Sequence, residues 1–563
     1  MTALQSNANG ALAASGMPGG SIVTKLKSNK PVAAVRWVVV AGIAITVWYI
    51  TIPRPILGNC TRFETDSTGY IECAESIRRG KGCYVRPSGG LKPEIWEPMR
   101  FWPPGYPILI AAGQIFGFSA MDSSIIVSCL SVAFFIALVA RIAMQMLPIG
   151  IALLATLTIA IMPAVVYICP MSGSDGPHLL FATASIACLL AGNRSDSRAW
   201  LWFLIGGTLA GIAWGVRYPG ISIIATEGMV NLGYVIVPGP RRKLVNPLFV
   251  WVVGVIIGAG PFAIHNYLVF GHTLSYPALP SEDSLLHNTV SAAKTMIREF
   301  GGIVWGRTSG VRWGLAYAFG AFAFLWLAVS SILLMIVLAP RTLNAHIRDL
   351  LQQHYPAVLL FSYSLIYTVL IIVAKTRYRM QPIDSRYIIP ASWSLWILLA
   401  YVTIELSSGR SAGIRKAGIT AIVLLLATAL ALEAMAAVWD VPGRGAESIE
   451  AVSNQRLIGN VNLNVRRDQI ILSCQACRLR LFDINGRQLH CSLPIGAIID
   501  AGNRGFLWGV AIDDVKGARD GRYGELAQGL ALGTSDYREL FQAFYRDDTA
   551  ILFRYVNVES KLR

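Results

Sequence analysis

Charge is what this chain has least of. Of its 563 residues only 14% are charged, against 54% hydrophobic, and the mean hydropathy is +0.53. Soluble globular chains carry about a quarter of their residues as charges, so a soluble fold is excluded and a multi-spanning membrane protein is expected. Also missing are a glycine-rich phosphate loop on a strand–helix unit, a serine nucleophile elbow and an HExxH helix. Nucleotide-driven chemistry in a cytoplasmic domain therefore has no sequence support. No heptad, solenoid or inverted repeat is evident, and the first 30 residues lack the apolar core and cleavage site of a signal peptide. Residues 1–34 are accordingly expected to be a flexible cytoplasmic tail. The net charge of +16 is spread among loops instead of forming one basic face, so no nucleic-acid partner is expected.

What is present is a series of apolar runs of the length that crosses a bilayer as a helix, about 17 to 25 residues. Uninterrupted apolarity excludes the alternating strands of a membrane barrel. Eleven spans are expected, at 35–52, 123–146, 149–168, 176–192, 199–216, 218–237, 247–268, 314–339, 356–374, 388–405 and 417–438. Basic residues mark every second connection: Lys25, Lys27, Lys30 and Arg36, then Arg141, Arg194 with Arg198, Arg241 to Lys243, Arg341 with Arg348, and Arg410 with Arg415 and Lys416. Positive loops stay inside, which puts the N-terminus in the cytoplasm and the C-terminus outside the plasma membrane. The segment "YPILIAAGQIFG" at 106–117 is too short to span and would invert every later loop, so it is expected to lie at the outer surface.

The expected organisation is a polytopic α-helical domain over 35–438, with a first outside loop at 53–122, followed by an outside domain at 439–563 of mixed or mostly β structure. In that last part "RLRLFDINGRQLHCSL" reads as a hairpin turning at Asn485-Gly486, and "SDYRELFQAFYR" reads as helix. Cys60, Cys73 and Cys83 fall in the first outside loop and Cys474, Cys477 and Cys491 in the terminal domain, where disulfides are permitted but pairs are not assignable. Disulfides take precedence over zinc, because adjacent His490 and Cys491 would point to opposite faces of a strand. No cofactor is expected; a divalent metal is conceivable, but no strong ligand set indicates one.

Several polar residues stand out against this background. Asp66 heads a helix-like run, Ser67 to Arg79, that places Tyr70, Ala74 and Ile77 on one face and stops at Gly80. It can cap that helix, serve as a general base, or do both. Asp175 occupies the outside turn "SGSD" before the fourth span, where it too can cap a helix. Topology puts both carboxylates on the outer side. Lys375, Arg377, Arg379 and Arg386 lie in an outside connection, against the charge rule, which points to a bound anion such as a lipid phosphate near Arg386 and Tyr387. Arg100 and Trp102 begin a rigid aromatic entry to the surface helix. Glu227 lies mid-span, either functional or hydrogen-bonded inside the bundle, and His265 reads as packing or cavity lining.

Four motifs in order, "DSTGYIECA", "PPGYPILIAAGQIFG", "SGSD" and "DSRYIIP", resemble the GT-C membrane glycosyltransferases over about residues 35–405. The protein O-mannosyltransferase and lipid A aminoarabinose transferase group is the most similar. The resemblance implies an inverting transferase with a polyprenyl-phosphate sugar donor, an extracytoplasmic glycan, lipid or protein acceptor, and Asp66 as catalytic base. Arg100, Lys375, Arg377, Arg379, Arg386 and Tyr387 would then hold the lipid phosphate. Many relatives have paired Asp-Glu where this chain has Asp66-Ser67, so a second acidic role falls to Asp175 or Glu64. The competing class is a flippase or transporter of a lipid-linked saccharide, which inverted repeats and midplane charges would favour.

Overall fold

The computed structural model describes residues 65–86, 96–162, 164–169, 172–195, 197–236, 245–274, 280–301, 311–338, 354–378, 380, 383–408 and 411–439. Beyond these it describes 470–473, 486–488, 507–512, 530, 541–546 and 551–555. The first expected span, 35–52, together with Cys60, Glu64, Arg379, Cys474, Cys477, His490 and Cys491, lies outside the described residues.

The chain opens with α1 (Thr65–Arg78), which ends where Gly80 takes φ 73° and Gly82 φ 88°, conformations that let the backbone reverse into β1 (Tyr84–Val85). β1 pairs antiparallel with β2 (Glu97–Pro98), and α2 (Gly105–Gln114) follows. At ten residues α2 is too short to span, in line with a surface position. Ile108, Ile115, Phe116 and Phe118 stay exposed on and just after it.

Helices overlap the stretches expected of the second to eleventh spans, although the one in the third, expected at 149–168, ends at Ile161. They are α3 (Ala120–Met146), α4 (Ile149–Ile161), α5 (Asp175–Arg194), α6 (Ala199–Val216), α7 (Ile221–Ile236) and α8 (Val245–Phe270). After α9 (Leu285–Phe300) come α10 (Val311–Leu338), α11 (Tyr355–Arg377), α12 (Ser385–Ser408) and α13 (Ala412–Trp439). Seven of the described helices, α3, α5, α6, α8, α11, α12 and α13, are long and apolar enough to cross a membrane. α9 was not foreseen. It buries Asn288, Ala292, Thr295, Met296, Glu299 and Phe300, spaced three or four apart along one face.

The bundle is built around α12, whose most apolar stretch is 89% buried, whereas those of α8 and α13 are 17% and 22% buried and face outward. Trp393 and Trp396 of α12 are fully buried, with Phe300 of α9 4.6 Å from Trp396 between ring centres. α6 and α8 approach backbone to backbone through two small-xxx-small pairs, Gly207 with Gly211 and Gly254 with Gly258. A Cβ on Gly207 would come within 2.1 Å of the Trp251 carbonyl oxygen, and one on Gly258 within 2.1 Å of the Thr208 carbonyl oxygen. Glu227 is buried inside this packing. It accepts from Ser185 Oγ at 2.6 Å and Trp251 Nε1 at 2.8 Å, joining α5, α7 and α8, as the hydrogen-bonded alternative required.

The described strands after residue 440 form a mixed sheet in the order β4-β3-β5-β7-β6, with β3 (Ile470–Ser473), β4 (Gly486–Gln488), β5 (Leu507–Ile512), β6 (Phe541–Arg546) and β7 (Ile551–Tyr555). Two expectations need correction here. Gly486 opens β4, which pairs parallel with β3, so it does not complete a tight hairpin turn. "FQAFYR" is strand β6, paired antiparallel with β7, and not helix. Its aromatic residues suit the pleated surface, where Phe541 packs on Tyr555 at 5.6 Å, and that pairing outweighs local helix preference.

Candidate active site

Helix α1 is docked on the turn that precedes α5. Ser67 Oγ donates to the Ser172 carbonyl at 2.6 Å, and the Tyr70 hydroxyl and Ser174 Oγ share a hydrogen bond of 3.1 Å. Both contacts are buried and join residues more than 100 positions apart. From α3, Ser128 Oγ donates to the Gly173 carbonyl at 3.2 Å, and Tyr106 of α2 bonds Ser128 at 2.9 Å. The "DSTGY" and "SGSD" motifs thus grip each other. Gly69 is the close-approach point, because a Cβ there would lie 2.7 Å from the Trp102 ring.

Neither acidic residue is a helix cap. Asp66 lies inside the first turn of α1, which starts at Thr65, and Ser174 holds the N-cap position of α5 while Asp175 is its first helical residue. Both still sit where exposed backbone N–H groups favour negative charge. Capping geometry is set by φ and ψ one residue earlier, which residue type alone does not determine.

Asp175 forms an ion pair with Arg217, the residue at the C-terminal end of α6. The Arg217 guanidinium lies 5.4 Å from the centre of the Tyr387 ring, and that of Arg386 lies 5.9 Å from the same centre. Arg386 pairs with Asp384 at 3.3 Å, and Asp384 also accepts the Arg386 backbone N–H at 2.9 Å. Asp66 acts electrostatically on both Tyr70 and Tyr387. Burial raises the Tyr70 hydroxyl well above its usual range, and the Asp66 carboxylate raises it further, so Tyr70 remains a neutral hydrogen-bond partner. Asp175, Arg217, Arg386 and Tyr387 therefore meet at one end of the bundle, with Asp66 within electrostatic reach of Tyr387.

The remaining candidates are placed differently. Lys375 pairs with Asp283 at 2.9 Å and also donates to the Met380 carbonyl, so its charge braces the connection before α12. Arg377 is exposed, its carbonyl accepting from the Ser281 N–H at 3.3 Å, and Arg100 is exposed beside Phe101. His265 hydrogen-bonds Cys83, tying α8 to the first loop. α9 braces the same region: Thr295 donates to the Ile383 carbonyl at 3.0 Å and Asn288 to Thr376 at 3.0 Å. Glu299, one turn after Thr295, is buried, and burial pushes its carboxyl up to about 7. Among the described residues no group of three His, Cys, Asp or Glu side chains is arranged to hold a metal ion.

Arg217 and Glu299 escaped the sequence reading. Arg217 carried a usable signal, since it is the one residue between two expected spans on the outer side, where a positive charge breaks the same rule that exposed Arg386. Glu299 carried none, because α9 hides in a polar connection.

Residues 102–265 match the family described as dolichyl-phosphate-mannose-protein mannosyltransferase. A crystal structure of ArnT from Cupriavidus metallidurans bound to undecaprenyl phosphate is similar over 94% of this chain and 99% of that one, with TM-score 0.57 and 14% identity. The apo form of the oligosaccharyltransferase from Archaeoglobus fulgidus is similar over 95% of this chain and 75% of that one, with TM-score 0.51 and 11% identity. No curated protein matches the chain. The shared fold and the apolar helices mark an integral membrane protein.

Proposed function

We propose that the chain is a GT-C glycosyltransferase that moves a sugar from a polyprenyl-phosphate donor to a hydroxyl of an acceptor on the outer side of the membrane, a reading supported by its fold and by the match of residues 102–265. The observation that carries this reading is the convergence of Asp175, Arg217, Arg386 and Tyr387 at one end of the bundle, with Asp66 within electrostatic reach of Tyr387. The solved ArnT structure holds undecaprenyl phosphate, which supports a lipid phosphate as the donor group here.

In this reading Asp66 takes the proton of the acceptor hydroxyl as its oxygen attacks the anomeric carbon and the bond to the lipid phosphate breaks, with inversion. Charge accumulates on the leaving phosphate, where Arg386 and Arg217 stabilise it and Tyr387 holds both guanidiniums in place. The Asp175 carboxylate orients Arg217. Lys375 shapes the loop through Asp283, and Arg377 and Arg100 stand toward the headgroups. The domain division at 1–34, 35–438 and 439–563, the eleven crossings and the cytoplasmic N-terminus belong to the same proposal. A flippase is disfavoured because Glu227 is occupied by Ser185 and Trp251.

The test is Asp66→Asn in membranes supplied with a panel of polyprenyl-phosphate hexoses and pentoses. Transfer should fall by about 10²–10⁴-fold while donor binding persists. Transfer at the wild-type rate would reject Asp66 as the base.

A further inference from the structure

Cys73 and Cys83 face each other across the first loop. Cys73, at 0% exposure, lies seven residues after Asp66 and so on the same side of α1. Cys83, at 8%, immediately precedes β1, and its carbonyl accepts the Met99 N–H at 3.0 Å. The two thiols hydrogen-bond to each other and share a small apolar cluster with Met99. Flanking residues clamp the same two elements. The buried Glu72 carboxylate accepts Arg86 Nε at 2.8 Å and the Arg86 backbone N–H at 3.1 Å. The reversal at Gly80 and Gly82 brings the strand back along the helix without strain.

We propose that Cys73 and Cys83 close a disulfide that staples the Asp66 helix to β1. The proposal rests on the reading that this loop faces the oxidising outer side of the membrane. The oxidant is a disulfide-bearing protein of that compartment. The Cys83 thiolate attacks one sulfur of the donor disulfide and releases a donor thiolate. The Cys73 thiolate then displaces the second donor thiolate from Cys83 Sγ. The two protein sulfurs are oxidised, the donor disulfide is reduced, and the two thiol protons pass to the donor thiols. Hydrogen bonds from Cys73 and His265 favour the Cys83 thiolate, which makes Cys83 the first attacker. The bridge would hold the face of α1 that presents Asp66.

The full chain, extracted from its membrane and denatured in N-ethylmaleimide without reductant, is digested with trypsin, which cuts after Arg78, Arg79 and Lys81, between the two cysteines. A linked pair of peptides, lighter than their sum by two hydrogens and separated by reductant, is expected. Maleimide on both cysteines, or a link from Cys60 to either, would overturn the proposal. Sidedness is read separately by an impermeant maleimide on Lys294→Cys, an exposed position of α9. Labelling in intact cells with free Cys73 and Cys83 overturns the disulfide alone. Labelling only after permeabilisation overturns the sidedness, and a linked pair found even then upholds the disulfide.

Discussion

Replacing Glu299 with Gln should abolish a loss of stability that the wild-type protein suffers between pH 5 and pH 8. The Glu299 side chain is 1% exposed, and burial raises its carboxyl from 4.5 to about 7, eased by the Ser385 hydroxyl and Arg298 and aggravated by Asp384. A carboxyl whose folded value lies above its unfolded one binds its proton more tightly when folded. Its contribution is therefore complete below about pH 4.5 and is lost as pH rises through about 7. The gap between those two values corresponds to about 3 kcal/mol, most of which disappears between pH 5 and pH 8. Gln keeps the shape of the protonated acid but has no proton to lose. Thermal unfolding in detergent, followed by tryptophan fluorescence at several pH values, measures the difference between the two proteins. The wild type should match Glu299→Gln at about pH 4.5 and unfold progressively earlier than it as pH rises to about 7. Parallel pH profiles would refute the buried carboxyl as the source.

The clasp between α1 and the "SGSD" turn predicts that Ser67→Ala and Tyr70→Phe each cost about 1 kcal/mol in the same unfolding assay. Together they should lower transfer about tenfold, by letting Asp66 drift from Asp175. A double variant with wild-type turnover would remove the clasp from the positioning of Asp66. Arg217→Lys keeps a positive charge but loses the planar fork that pairs with Asp175, so transfer should fall by about 10²-fold with stability little changed. Unchanged kinetics in that variant would mean that Arg217 serves packing alone.

Much of the fold was legible because membrane solvation writes it locally. Every backbone group in a bilayer must bond within its own helix, so runs of apolar residues announce the helices from α3 to α8 and from α10 to α13 one by one. The α1 boundary was equally readable, since Gly80 adopts the left-handed conformation that ends helices. The strand β6 was not readable, because "FQAFYR" takes its conformation from a partner, β7, in a different stretch of chain. The α9 helix was missed for a related reason: its buried face exists only against α10, α11 and α12.

The sequence by itself determined the class of protein and the residue types able to do the chemistry, and it supplied the expectation that Asp66, Asp175 and the misplaced arginines share the outer side. Charge asymmetry and apolar length are additive along a chain and need no partner to be read. Which of those groups meet was decided only by tertiary structure. Ser67 and Tyr70 carry the Asp66 helix onto a turn over 100 residues away, Arg217 is drawn to Asp175, and Lys375 is diverted to Asp283. Such pairings depend on distances of a few ångströms between helix ends, which packing sets and sequence spacing does not encode.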